Sequence, residues 1–226
     1  MNYLYSIRKI HGRISDSILE KKKKAYLNKK RNKLKNHDFS IISNNCIAGI
    51  MYHDLNMRFS SPTINLWLPP EDYMLFLLNL NEAISAEVFE YTDSEKKYPV
   101  GYILLHNKKR ILIHFMHYPS FKIAKQKWDE RKARINWENL FVLFETGKDS
   151  SDELINDFLA LPYNHLFAIT NNSYHNSKRT IALDLYDKED YVNGKILLYK
   201  PFPFEYKRYL DDFDYVKWIN QCCNNR

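Results

Sequence analysis

Phe39-Ser40-Ile41-Ile42-Ser43-Asn44-Asn45-Cys46-Ile47-Ala48-Gly49 decides how this chain folds. A short β-prone run ends at Ser43, polar turn-formers follow, and apolar residues resume at Ile47, which reads as strand, turn and helix. Ile50 to Leu55 continues the helix to about Asn56, Ser60-Ser61-Pro62-Thr63 is a loop, and Ile64 to Leu68 is a strand stopped by Pro69 and Pro70. Glu71 and Asp72 open a helix reaching about Ala86, with acidic residues where the helix dipole favours them. Tyr98 to Leu105 and Arg110 to Met116 form a hairpin across His106-Asn107-Lys108-Lys109. A charged helix from Pro119 to about Arg134, a strand within Trp137 to Glu145, a helix from Ser151 to Ala160 and a strand from Leu166 to Thr170 follow. Ile196 to Tyr199 adds an edge strand, and Tyr206 to Cys222 a final helix packed back on the domain. Alternation dominates, so the expected fold is α/β, a layered, mostly parallel sheet with helices on both faces.

The 226 residues are enough for one domain with its own core, and 45% hydrophobic content with 17 Tyr and 13 Phe supports burial. Only 5 Gly occur, and neither a dinucleotide fingerprint nor a P-loop can be found. Three cysteines, Cys46 and the adjacent Cys222 and Cys223, do not suit a disulfide scaffold. No run approaches the roughly 18 apolar residues of a spanning helix, and no leader precedes Arg8 and Lys9, so a cytoplasmic protein is expected.

The net charge of +7 is unevenly placed. Residues 1–36 hold twelve Lys or Arg against Asp16 and Glu20, a balance of +10, which leaves −3 for residues 37–226. The chain therefore divides into a basic N-terminal extension and a single α/β domain. Ile7, Ile10, Ile14 and Ile18 recur at helical spacing before the lysine run. Such a segment suits peripheral attachment to an anionic inner membrane face; packing on the domain with solvated lysines suits it as well. Sparse aromatics there and the lack of a recognised module argue against nucleic acid.

Ser43 to Cys46 falls at the carboxyl end of the first strand, where open α/β sheets collect ligands. A cysteine entering a helix can have its thiolate stabilised by backbone N–H groups, and Asn44 and Asn45 offer amide donors to an oxyanion. An inert buried cysteine at a tight turn is the competing reading. His114 and His117 at the end of a predicted strand offer a base, and alternation lets at most one share the side of Cys46. His117, nearer the strand end, is the choice, although either also suits a structural role. No third ligand accompanies them, and no metal is expected. Lys127, Trp128, Arg131 and Arg134, with Asn136 and Trp137 beyond, could hold a phosphate-bearing cofactor; a solvated helix face with Phe121, Ala124 and Trp128 turned inward explains them equally.

Phe39 to Cys46, Ser61-Pro62-Thr63, Tyr98-Pro99-Val100-Gly101, Ile113 to Tyr118 and Lys127 to Trp137 together resemble a bacterial domain-of-unknown-function family of exopolysaccharide biosynthesis proteins. The likeness runs from about Phe39 to Trp218. That family is found among capsule and surface-polysaccharide genes, and some members are labelled acetyltransferases. The strand-then-Asn-Cys start is also similar to SGNH-like polysaccharide acetyltransferases with Cys in place of Ser. The resemblance implies an O-acyltransferase in which Cys46 takes an acetyl group from acetyl-CoA and a sugar hydroxyl of a polysaccharide precursor accepts it. It implies His117, or His114, as base, and Ser43, Asn44, Asn45, Ser61 and Tyr118 lining the oxyanion and substrate site. No D-x-x-H, the usual SGNH acid and base, lies near the C-terminus. A glycosyltransferase using Asp212-Phe213-Asp214 as a metal clamp, or a non-catalytic scaffold of a polysaccharide assembly complex, are the alternatives.

Overall fold

A computed structural model describes residues 20–92, 95–146, 150–170, 177–183 and 208–224. A helix over residues 20–33 (α1) leads into β1 (Ser40–Ser43), and the decisive stretch forms strand, turn and α2 (Ile47–Leu55) as its pattern requires. β5 (Leu140–Glu145), α6 (Asp152–Leu159), β6 (His165–Thr170) and β7 (Thr180–Ala182) complete a parallel sheet in the order β1-β5-β6-β7. Every pairing in it is parallel, and each described step moves in the same direction. The chain between β1 and β5 supplies α3 (Pro70–Leu78), α4 (Leu80–Ser85), a second, antiparallel sheet and α5 (Phe121–Lys132). That sheet contains β2 (Val88–Glu90), β3 (Val100–Leu104) and β4 (Arg110–His114), the last two being the expected hairpin.

Period-two alternation along the strands separates two cores. Ile42, Val142, Phe144, Leu166 and Ala168 face α3 to α6 and the antiparallel sheet. Ile41, Phe141, Leu143 and Ile169 face α2 and α7 (Tyr215–Ile219), with Leu34 and Trp218 in the same cluster. The fold is therefore α/β with a mostly parallel sheet and helices on both faces.

β1 is an edge strand whose outward amides would face water or another chain. Hydroxyl side chains occupy them. Ile41 N donates to Tyr52 Oη at 3.0 Å and Ser43 N to Thr63 Oγ1 at 3.0 Å, while Ser60 Oγ donates to Phe39 O at 2.6 Å. The 57–68 segment thus runs along this edge as a cover without becoming a strand. Ile64 to Leu68, read as a strand from sequence, pairs its backbone with that of other described residues only through a bridge from Trp67 to His114 and a bond from Leu68 N to Asn44 O. Asn65 at φ 62 interrupts its extended run.

Three other expectations change. The helix expected from Glu71 to Ala86 breaks at Asn79, whose side chain donates back to Leu75 O at 2.9 Å and competes with the backbone ladder. The C-terminal helix divides into a 3-10 turn at Tyr209–Asp212, α7 and a 3-10 turn at Asn220–Asn224, because Asp214 turns its carboxylate to cap Lys217 N. β2 and β7 are three-residue strands with too little alternation to be seen in sequence. The isoleucines at 7, 10, 14 and 18 and the strand expected at 196–199 lie outside the described residues.

Residues 20–36 pack on the body of the domain. Leu27 and Leu34 are buried, and Lys30 Nζ lies 2.6 Å from the Asp211 carboxylate. Arg208 sits between the Asp54 and Asp211 carboxylates, and Tyr215 Oη donates to Asp54 Oδ2 at 2.7 Å. Burial alone would raise the Asp211 carboxyl, but hydrogen bonds from Arg208 and the charge of Lys30 outweigh it and hold it below its ordinary range. This buried network fastens α1 and the C-terminal segment to α2. Among the described residues, no helix is long and apolar enough to cross a membrane.

Candidate active site

Parallel pairing puts the ends of β1 and β5 side by side, with Ser43 opposite Leu143, so residues 44–46 lie beside Glu145. Asn44 continues the ladder with its side chain. Its Nδ2 donates to Glu145 O at 2.9 Å and its Oδ1 accepts from Glu145 N at 3.0 Å, as a further strand residue would do. Asn45 Oδ1 accepts from Ile47 N at 3.0 Å, closing the turn into α2, and its Nδ2 donates to the Glu145 carboxylate. Ser43 Oγ donates to Asn45 O at 2.7 Å. These three residues, expected to line an oxyanion site, are buried and committed to the backbone of the turn.

Cys46 is half-buried at the start of α2, and its thiol points at the Leu66 carbonyl, 3.8 Å away. α2 presses closely on that segment: a Cβ at Gly49 would stand 3.1 Å from Ile64 Cγ2 and 3.2 Å from Asn65 Oδ1. Burial, and then the negative charge of Glu145, push the thiol up from 9.0 to about 11. The expected stabilisation of a thiolate by helix amides is reversed, because the sulfur is buried, faces the Leu66 carbonyl and feels the negative charge of Glu145. Burial raises the hydroxyl of Tyr118, which Arg131 only partly offsets, and the charge of Cys46 adds to the rise. Tyr118 Oη donates to Ile64 O at 3.0 Å and accepts from Arg131 Nη1 at 2.6 Å. Tyr118 and Arg131 therefore meet at the Ile64 carbonyl, on the segment whose Leu66 carbonyl faces Cys46, and Glu145 joins the cysteine turn through Asn45.

The remaining candidates are dispersed. His114 is buried between Trp67 and Tyr98, with ring centroids 4.8 Å and 5.9 Å away, and burial lowers its pKa. His117 is exposed, and no contact among the described residues ties it to Cys46. Ser61 is fully buried, 3.0 Å from Thr63 Oγ1, and so supports the cover of the β1 edge. Trp128 is 1% exposed and is packed against Phe76 and Phe115, leaving no open face for a ring to stack on. Lys127, Arg131 and Arg134 share a cavity of about 330 Å³ with Arg58 and Phe59, although Lys127 and Arg134 already meet Glu130. Asn136 bonds to Ser40 Oγ, Asp38 O and Asn139, while Trp137 lies at the amino end of the sheet, away from these cations. Asp214 is spent as a helix cap, which removes one arm of the D-x-D clamp. Among the described residues, no group of three or more His, Cys, Asp and Glu is placed to hold a metal ion.

Glu145 is the residue that sequence reasoning missed. Its signal was a carboxylate closing the apolar run Leu140-Phe141-Val142-Leu143-Phe144, a position buried at the carboxyl end of a parallel strand.

Residues 18–220 match the family described as domain of unknown function DUF1919, which covers both sheets and the turn bearing Cys46. The chain belongs to that family. A Haemophilus influenzae protein described as uncharacterized is 31% identical over 205 residues, spanning 90% of this DUF1919 chain and 95% of its own length.

Proposed function

We propose that this DUF1919 protein is an acyltransferase of surface-polysaccharide biosynthesis, moving an acyl group from a thioester such as acetyl-CoA to a sugar hydroxyl through Cys46. What carries the reading is the Cys46 thiol at the carboxyl end of β1, next to the turn that Asn45 ties to the Glu145 carboxylate at the end of β5. A thiol kept protonated at neutral pH needs a base beside it, and Glu145 replaces His117 in that role. Cys46 Sγ adds to the donor carbonyl as its proton passes to Glu145; the donor C–S bond breaks and the leaving thiolate takes that proton. The sugar oxygen then attacks the acyl-cysteine, its proton goes to Glu145, and the released Cys46 sulfur is reprotonated. The resemblance to SGNH-like acetyltransferases supports the donor and the acceptor class.

Incubation with acetyl-CoA should leave an acetyl adduct on Cys46 by mass spectrometry. Cys46→Ala should abolish the adduct, and Glu145→Gln should slow its formation roughly 100-fold or more, whereas His117→Ala should change it less than about twofold. Absence of the adduct, or sugar acetylation persisting in Cys46→Ala, sinks the acyl-enzyme. A non-catalytic saccharide-binding role is the second reading, favoured by the commitment of Ser43, Asn44 and Asn45 to the backbone.

Peripheral attachment to an anionic inner membrane face belongs to the same proposal. Lys21, Lys24, Lys29, Lys33 and Lys35 are exposed and supply the charge for it. Exchanging Lys21, Lys24 and Lys29 for Glu should abolish sedimentation with phosphatidylserine vesicles; unchanged sedimentation rules out this segment as the anchor.

A further inference from the structure

A feature unused by the chemistry at Cys46 lies at the opposite end of the parallel sheet. Where α3 breaks into α4, the turns before β5 and β6 leave a cavity of about 620 Å³. This is within the range of small-ligand sites. Leu140 and His165, which begin their strands, form part of its wall. Five residue steps along β5 separate Leu140 from Glu145, roughly 16 Å of strand.

Two chemical features of this cleft stand together. Trp137 is 45% exposed and Leu78 is 65% exposed, so an indole and a branched aliphatic side chain border the cavity in contact with water. Among the described residues nothing covers these two side chains, and a ligand that did so would gain by removing them from water. Around it, Asn81, Glu138 and Asn164 are exposed, and their side chains make no hydrogen bond to another described residue. Each amide offers two donors and an acceptor, and the carboxylate accepts. The neighbouring Glu82, by contrast, is occupied by His106 at 2.6 Å.

Charge narrows the ligand. Among the described residues no Lys or Arg lines the cavity, while Glu82 and Glu138 do, so phosphate, sulfate and uronate groups would meet repulsion without a counter-ion. What fits is a neutral molecule with a flat C–H face for the indole and several hydroxyls at its rim for the amides and carboxylate. A pyranose ring has both. We propose that this cleft binds a neutral oligosaccharide, with Trp137 as the platform for one sugar ring and Asn81, Glu138 and Asn164 as partners for its hydroxyls. The site does not depend on the chemistry at Cys46, and it would hold a polymer at a distance from the reacting cysteine.

Titration calorimetry of the full chain with neutral gluco-, galacto- and N-acetylglucosamine oligosaccharides of about four to six units tests this. One of the series should bind. Trp137→Ala should weaken it by roughly tenfold or more and Asn164→Ala by a few-fold, while Trp137→Phe should restore part of the loss and Cys46→Ala should bind as the parent does. Circular dichroism melting of Trp137→Ala should match the parent, which separates lost binding from lost fold. Failure of every neutral oligosaccharide to bind at millimolar concentration overturns the proposal. So does binding that Trp137→Ala leaves unchanged, or preference for a sulfated oligosaccharide. Because Cys46→Ala retains binding, failure of the acyl-transfer reading leaves this result standing, and the reverse also holds.

Discussion

At the carboxyl end of the parallel sheet Ser43, Asn44, Asn45 and Glu145 are buried and bonded to one another or to backbone, whereas at the amino end Asn81, Glu138 and Asn164 face solvent beside a half-exposed Trp137. Both ends are rich in amides and carboxylates. At the carboxyl end the side chains stand in for a strand that has ended: Asn44 pairs with both backbone groups of Glu145, and Asn45 closes the first turn of α2. Buried backbone groups must find partners, and these residues are the partners. At the amino end the side chains of Asn81, Glu138 and Asn164 make no hydrogen bond to another described residue, so they remain available to a ligand. A polar cluster at a strand end is thus evidence of a site only after its structural hydrogen bonds have been assigned.

The contrast can be broken most severely at Asn44. Asn44→Ala removes the two buried hydrogen bonds that its side chain makes to the backbone of Glu145 and should cost about 2–5 kcal/mol in urea unfolding. A loss below about 1 kcal/mol would mean that the turn does not need its side-chain ladder. Cys46 sharpens the contrast next. With its thiol raised from 9.0 to about 11, iodoacetamide at pH 8 should label native protein about 100-fold more slowly than a urea-unfolded chain. Glu145→Gln removes the smaller of the two causes and should narrow that gap without closing it. Equal labelling of native and unfolded chains would show this end to be open.

The same thiol ties stability to alkaline pH. Its proton is held more tightly in the folded state, so its contribution is complete below about pH 9 and is lost as the pH rises through about 11. Trp137→Ala, at the amino end, should produce the smallest effect, a stability change within about 0.5 kcal/mol, because an exposed side chain is removed. A larger loss would assign Trp137 to the core and not to a ligand surface.

The position of the turn was legible because its signal is local. β-prone residues before Ser43, turn-formers at Asn44-Asn45 and an apolar run from Ile47 agree with one another over eleven residues. The β3–β4 hairpin and the Ser151-capped α6 were legible for the same reason. What failed were features decided by partners distant in sequence. Nothing within Ile64 to Leu68 shows that it would cover the β1 edge, and nothing near His117 shows that it would stay exposed. Glu145, 100 residues from Asn45, could be joined to the cysteine turn only by the pairing of β5 with β1.

By itself the sequence determined the α/β class, the place of the cysteine turn at the end of the first strand and the concentration of positive charge in residues 1–36. These follow from composition, periodicity and turn chemistry, each confined to a few neighbouring residues. Only the tertiary structure decided which polar side chains are spent and which remain free. It buried Cys46 against a carbonyl under the charge of Glu145, drew Lys30 into a buried ion network and left Trp137 over a cleft lined by amides. Burial and hydrogen-bond partnership are properties of packed elements, and an asparagine that serves as backbone substitute at one end of a sheet stands exposed to solvent at the other.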